Sequence, residues 1–213
     1  MTKRLEELYS VLLPCKKFAD VGCDHGYIAK AMIIGGKAEE VVVSDISAPS
    51  LKKAERLLSS IEGARFKAVV CDGLDGVDDD CDQVLIAGMG GEEIIAILGK
   101  AVFLPERLVL QPMKNVDKLR KSLLLLGYRI ERDYIFKDEK FYNVIAAIRG
   151  NDSYTEDELF FGRDNLRERG ENFLEFALRE RDKYAALLAT QLPDTARTEI
   201  ARLKEKYEGV LSL

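Results

Sequence analysis

The segment Asp20-Val21-Gly22-Cys23-Asp24-His25-Gly26 packs two glycines, two carboxylates and an imidazole into a single turn. Where a strand runs into a helix, such a turn lets a ligand approach the backbone at the helix N-terminus. The dinucleotide fingerprint G-x-G-x-x-G is absent, because the second residue after Gly22 is Asp24. With no ligand, the same residues would simply make a tight strand–helix connection. Asp45 stands 25 residues after Asp20, at the end of the β-branched run Val41–Ser44. A carboxylate there can accept both hydrogens of a nucleoside cofactor's ribose diol. It can also serve as an acidic residue at the start of the next helix.

Three further strand ends carry polar or glycine features. Cys71-Asp72-Gly73-Leu74 closes one, followed by the acidic run Asp75, Asp78, Asp79, Asp80 and Asp82. A calcium loop would need Glu eleven residues after Asp72, where Gln83 stands, so the run reads as a solvated loop. Ile86-Ala87-Gly88-Met89-Gly90-Gly91 closes the next, and Leu110-Gln111-Pro112-Met113 the one after. In an open α/β sheet, ligands bind where several strand carboxyl ends converge. The four cysteines, Cys15, Cys23, Cys71 and Cys81, form no C-x-x-C pair, and His25 is the only histidine. Reduced thiols and no metal site are the expectation.

The elements that must position these residues alternate over the first 150 positions. Helical apolar spacing over Thr2–Leu13 is followed by strands predicted at Phe18–Val21, Val41–Ser44, Phe66–Cys71, Gln83–Ala87 and Arg107–Leu110. Helices are predicted between and after them at Tyr27–Ile34, Ala48–Ser60, Glu92–Leu98 and Val116–Leu126. Tyr128–Phe136 and Phe141–Ile148, joined by Lys137-Asp138-Glu139-Lys140, read as an antiparallel edge hairpin. The pattern predicts an α/β fold with a seven-stranded, mostly parallel sheet covered on both faces. After Gly150 the pattern is helical and charged. Ala196, Ile200, Leu203, Tyr207 and Val210 form a heptad seam, and Phe173, Ala177, Tyr184, Leu187 and Gln191 a weaker one. With Leu192-Pro193-Asp194 as the break, residues 151–213 are expected to form a coiled-coil-like helical hairpin beside a first domain of residues 1–150. Its arginines, including Arg163, Arg167, Arg169, Arg179 and Arg181, are expected to face outward.

The first motif resembles D-x-G-x-G-x-G of class I S-adenosylmethionine-dependent methyltransferases, with Asp24 in the place of the middle glycine. DVGCDHGYIAK, IAGMGGEEI, LVLQPMKNVDKLRKSL and EKFYNVIAAI together resemble the bacterial tRNA (adenine-22-N1)-methyltransferase family. The resemblance covers residues 1–150 closely and the helical region more loosely. It implies a Rossmann-like class I fold, S-adenosyl-L-methionine as methyl donor and an adenine N1 in tRNA as acceptor. It also implies donor contacts from Asp20, Gly22, Cys23, Asp24, His25 and Gly26, then Asp45 and Ile46, Asp72, Gly73 and Leu74, and Ala87, Gly88 and Met89. The [DN]-P-P-[YF] string usual in enzymes acting on exocyclic amines is missing after Gln83–Ala87. Pro14-Cys15 lies in the wrong place for a C5-pyrimidine nucleophile. Members of the family often read Gln-Pro-Asn where Gln111-Pro112-Met113 stands here, which leaves Asn115 as a substitute for that Asn.

Catalysis on adenine N1 rests on in-line positioning and on support of the ring as it becomes cationic. Asp24 is the residue for that support, or for accepting an amino proton; equally, it caps the next helix and orients the donor's methionine end. Gln111, Pro112 and Tyr142 complete the predicted acceptor side. Tyr142 either stacks on an extruded base or belongs to the core. The chain holds 32 Lys+Arg against 37 Asp+Glu, yet residues 111–149 carry nine basic and five acidic side chains. Lys114, Lys118, Arg120, Lys121 and Arg132 in that stretch are the predicted RNA contacts, against the plainer reading of a solvated helix face. No apolar run approaches membrane-spanning length, and the N-terminus, with Glu6 and Glu7, is not that of a secretory signal. A cytoplasmic protein without membrane association is expected. The alternatives are a class I methyltransferase for a small molecule or protein, and a non-catalytic RNA-binding module.

Overall fold

Residues 1–212 are described by a computed structural model. Chain order runs α1 (Lys3–Val11), β1 (Cys15–Val21), α2 (Tyr27–Ile34), β2 (Ala38–Asp45), α3 (Ala48–Ser59), β3 (Phe66–Val70), β4 (Gln83–Met89) and α4 (Gly91–Lys100). It continues with β5 (Arg107–Pro112), α5 (Val116–Leu125), β6 (Tyr128–Lys137) and β7 (Phe141–Arg149). Four helices follow: α6 (Glu156–Phe161), α7 (Arg163–Glu168), α8 (Glu171–Leu188) and α9 (Asp194–Ser212). Local chemistry sets the boundaries. The Ser47 hydroxyl accepts the Ser50 N–H and opens α3, with Pro49 in its first turn. Glu93 reaches back to the Gly90 N–H at 2.5 Å and opens α4.

The seven strands lie in the order β3-β2-β1-β4-β5-β7-β6, with β7 antiparallel to both neighbours and the other pairs parallel. The order reverses between β1 and β4, so the crevice opens at their carboxyl ends. One apolar layer joins Leu8, Leu12, Met32, Leu51 and Leu58 to Phe18 and Val41. Another joins Ile94, Leu98, Leu119 and Leu123 to Val84 and Leu108. Strands β1 and β2 begin three residues earlier than their apolar runs, because parallel pairing continues through Lys17 and Glu40 to Cys15 and Ala38. Cys15 is therefore the first residue of β1 rather than a residue before it.

The C-terminal region contains the expected helical hairpin, α8 and α9, preceded by two short helices that were not expected. Helices α6 and α7 pack on α5 and β6, and Phe161 joins Ile135, Phe173, Ala177, Tyr207 and Val210 in a third apolar cluster. Helices α8 and α9 pack along each other. In the seam, Tyr207 and Val210 are buried, but Ala196, Ile200 and Leu203 are half-buried, Leu187 is exposed and Gln191 lies beyond α8. The outer half of the hairpin has only its partner helix to pack on, so burial is confined to the end near β6. Two of the arginines expected to face outward are tied to groups outside their own helix. Arg163 pairs with Asp152 and Glu158, and Arg169 donates to the Val210 carbonyl at 2.7 Å.

Candidate active site

A cleft of about 900 Å³ opens at the carboxyl ends of β1, β2 and β4. Asp45, ending β2, accepts the Asp24 N–H at 3.1 Å and the Ser47 N–H at 2.8 Å, which fixes its carboxylate toward the cleft. Asp24 has a left-handed backbone (φ 47°), which Asp tolerates better than most residues; this is the position where the motif it resembles has glycine. Its side chain is exposed at the cleft mouth and lies 2.7 Å from His25 Nδ1, while the His25 ring stacks on Tyr27. Asp20 is buried (6% exposed), and burial pushes its carboxyl up to about 7; the charge of Asp45 adds to this and the Ala29 N–H opposes it. Burial likewise raises the Cys23 thiol, with Asp20 and Asp45 adding, so Cys23 is an inert lining group. Gly22 admits the Met89 methyl, which lies 2.2 Å from where a Cβ on residue 22 would stand. At the far rim Asp72 is ion-paired to Lys100.

Of the predicted donor contacts, Asp20, Gly22, Cys23, Asp24, His25, Asp45, Ile46, Asp72, Gly73, Ala87, Gly88 and Met89 line this one cleft. Gly26 and Leu74 do not. Gly26 faces Ala54 of α3, and Leu74 is buried in the core. The predicted acceptor side is arranged differently from expectation. Gln111 and Pro112 are buried, and Gln111 accepts the Arg4 Nε–H at 2.8 Å. Tyr142 is half-buried; it stacks on Phe136 and lies beneath Arg4, so its ring does not stand free for a base. The Asn115 side chain makes no capping bond to α5.

Arg120 is the clear correction among the predicted RNA contacts. It is 1% exposed, forms a bidentate pair with Asp133, and donates to the Leu159 and Phe160 carbonyls. An inward helix position, shared with the buried Leu119 and Leu123, places it there. Lys118 pairs with Glu92, both exposed, and the exposed Arg132 pairs with the buried Asp164; among the described residues Lys114 and Lys121 are exposed without a carboxylate partner. Sequence reasoning predicted the helix α1 but missed its place at the cleft, which its cap Thr2 and its residues Arg4, Leu5 and Leu8 line; it also missed Ser44, Glu93 and Lys100. Ser44 had a signal: a lone hydroxyl ending the apolar run Val41–Val43. Nothing in α1 itself tells which strand ends it will cover.

These residues fit S-adenosylmethionine, a nucleoside carrying a sulfonium, an ammonium and a carboxylate. Asp45 suits a diol, the remaining acidic groups suit a net cation, and the buried Ser44 Oγ lacks a hydrogen-bond partner among the described residues. A doubly wound sheet with an antiparallel β7 and an acidic nucleoside cleft at its switch point defines a Rossmann-like methyltransferase fold. The chain belongs to the methyltransferase-domain family, which it matches over residues 1–145. A Mycoplasma pneumoniae protein, provisionally named a tRNA methyltransferase, is 30% identical over 171 residues, covering 76% of this chain and 79% of the relative. The tRNA (adenine(22)-N(1))-methyltransferase of Bacillus subtilis is 29% identical over 157 residues, covering 71% and 66%. A Streptococcus pneumoniae structure, solved with S-adenosyl-L-methionine and provisionally described as a tRNA (m1A22) methyltransferase, superposes with a TM-score of 0.89 at 24% identity, covering 99% of each chain. The expected fold is thus borne out by the superposition, and the family is that of a methyltransferase domain. Among the described residues no helix is long and apolar enough to cross a membrane, and no cluster of His, Cys, Asp and Glu is placed to hold a metal.

Proposed function

We propose that this chain transfers a methyl group from S-adenosyl-L-methionine to N1 of an adenine in tRNA, at position 22, in the cytoplasm. The observation that carries the reading is the end of β4, which offers Ala87-Gly88-Met89 beside the exposed carboxylate of Asp24. An exocyclic amine has its lone pair tied into the ring and needs polar groups to release it; N1 has a free in-plane lone pair and needs none. The donor supplies an electrophilic methyl on a sulfonium. Asp45 binds the diol, and Asp20 and Asp24 place negative charge beside the cationic end. Asp24 also faces the ring as it becomes cationic, holding that charge or accepting the amino proton, and His25 orients its carboxylate through the 2.7 Å contact. The names of the Bacillus subtilis and Mycoplasma pneumoniae relatives support tRNA as the substrate.

Residues 1–150 carry donor binding in this reading, and residues 151–213 extend the surface that orients a folded tRNA. Lys114 and Lys121 supply phosphate contacts, with Lys118 able to exchange its exposed partner Glu92 for phosphate, while the exposed Arg132 stays paired to the buried Asp164. Incubating the enzyme with tRNA and labelled donor, then mapping nucleosides by mass, tests the assignment. Label in 1-methyladenosine at position 22 is expected; label in another nucleoside or only in protein would refute it.

A further inference from the structure

The cleft holds more carboxylates than cations, and its two permanent cations among the described residues are Arg4 and Lys100. Lys100 is paired with Asp72. Among the described residues Arg4 forms no ion pair through its side chain, although it is half-buried in the cleft lining. Its backbone N–H donates to Asp138 in the β6–β7 turn at 3.2 Å, and its Nε–H donates to Gln111 at 2.8 Å. Its guanidinium lies 5.6 Å from the Tyr142 ring centre. One terminal amino group comes within 3.0 Å of where a Cβ on Gly88 would stand, so the missing side chain at residue 88 leaves room for the fork. Among the described residues neither terminal amino group has an acceptor, while Nε is held by a wholly buried amide.

We propose that Arg4 binds the α-carboxylate of the donor's methionine end, and that Gln111 is the positioning residue that aims it. The donor carries one anionic group, and a planar fork with two free amino groups is the donor set that grips a carboxylate through two parallel bonds. The carboxylates that line the rest of the cleft suit the donor's cationic and diol groups and would repel this one. The adenine acceptor is the wrong partner for Arg4, since the ring gains positive charge during transfer. The proposal rests on the donor alone and stands whichever nucleoside accepts the methyl. It also explains why Gln111, at the end of β5, is buried rather than exposed to substrate.

The test is calorimetric binding of S-adenosylmethionine and of its decarboxylated analogue, with no tRNA present. Wild-type protein is expected to prefer the intact donor. Arg4→Ala should weaken intact donor by about ten- to a hundredfold and leave the decarboxylated analogue within about twofold. Arg4→Lys should keep only part of the preference, because it restores charge without the fork. Gln111→Leu should reduce the same preference, and combined with Arg4→Ala should add nothing to it. Thermal melting confirms that each variant is folded. Equal weakening for both ligands would make Arg4 a merely structural residue and overturn the proposal. Unchanged binding of both ligands, with a raised KM for tRNA, would assign Arg4 to an RNA phosphate and overturn it too.

Discussion

Asp20 holds a carboxyl that burial keeps protonated up to about pH 7, in the cleft proposed for the cationic donor. The raised value means that the folded chain binds this proton more tightly than the unfolded one. Its contribution to stability is therefore complete below pH 3.8 and is lost as pH rises through about 7. Donor binding runs the other way: a cation favours ionised Asp20, so affinity should climb between about pH 5.5 and 7.5 and then level off. Calorimetry across that range should show the slope in wild type and a flat profile in Asp20→Asn, while His25→Gln keeps the slope. Asp24 predicts a different signature. A group acting on developing charge appears in turnover, so Asp24→Ala should lower kcat by about ten- to a thousandfold and donor affinity by much less. Equal losses in both would reduce Asp24 to a donor-positioning residue.

At the scale of elements, the joint between α5, β6 and the C-terminal helices is decisive. Arg120 on α5 grips Asp133 on β6 and the last carbonyls of α6, while the Asp164 and Asn165 side chains accept the N–H groups of Asp133 and Ile135. A buried pair that loses one partner leaves an uncompensated charge, which costs about 3–5 kcal/mol. Arg120→Ala should therefore lower stability by about that amount in urea melts, with no specific loss of RNA affinity in the protein that remains folded. A chain ending at Gly150 loses the α6 carbonyls and uncovers Ile135, so it should melt well below the full-length protein. The helical region thus has a stabilising role in addition to any contact with tRNA.

Over the whole molecule, a formal charge of -5 coexists with a local basic surface. Ion pairs occupy much of that surface: Lys137 with Glu175, Arg129 with Glu131, and Lys118 with Glu92. Lys114 and Lys121 are left for phosphate, and Lys114 follows directly on the Gln111–Met113 strand end. Replacing both with Glu should raise the KM for tRNA several-fold and reduce the salt dependence of binding by about one unit of slope per lysine. Donor affinity should stay as it is, because neither lysine lines the cleft. Equal weakening at every salt concentration would show that these contacts are not electrostatic.

The alternating pattern, the strand ends and most of the donor contacts were legible in the sequence, because parallel strands are buried on both faces and advertise themselves as apolar runs. Asp20, Asp45 and Asp72 each sit at the end of such a run, and strand-end residues converge whenever the sheet forms. What depended on distant packing was not legible. Arg120 reads as one more lysine-like charge in Lys118–Lys121 until α5 docks and turns it toward Asp133. Gln111 looks like a cleft residue until Arg4, 107 positions away, is laid across it by α1. Helices α6 and α7 are too short for periodicity to reveal, and the cover they find on α5 and β6 makes them stable. Sequence alone determined which residues end the strands, since that is a local matter of apolar runs and turns. Tertiary structure decided which charges face the ligand and which are spent inside, since a side chain's partner is set by the element packed against it.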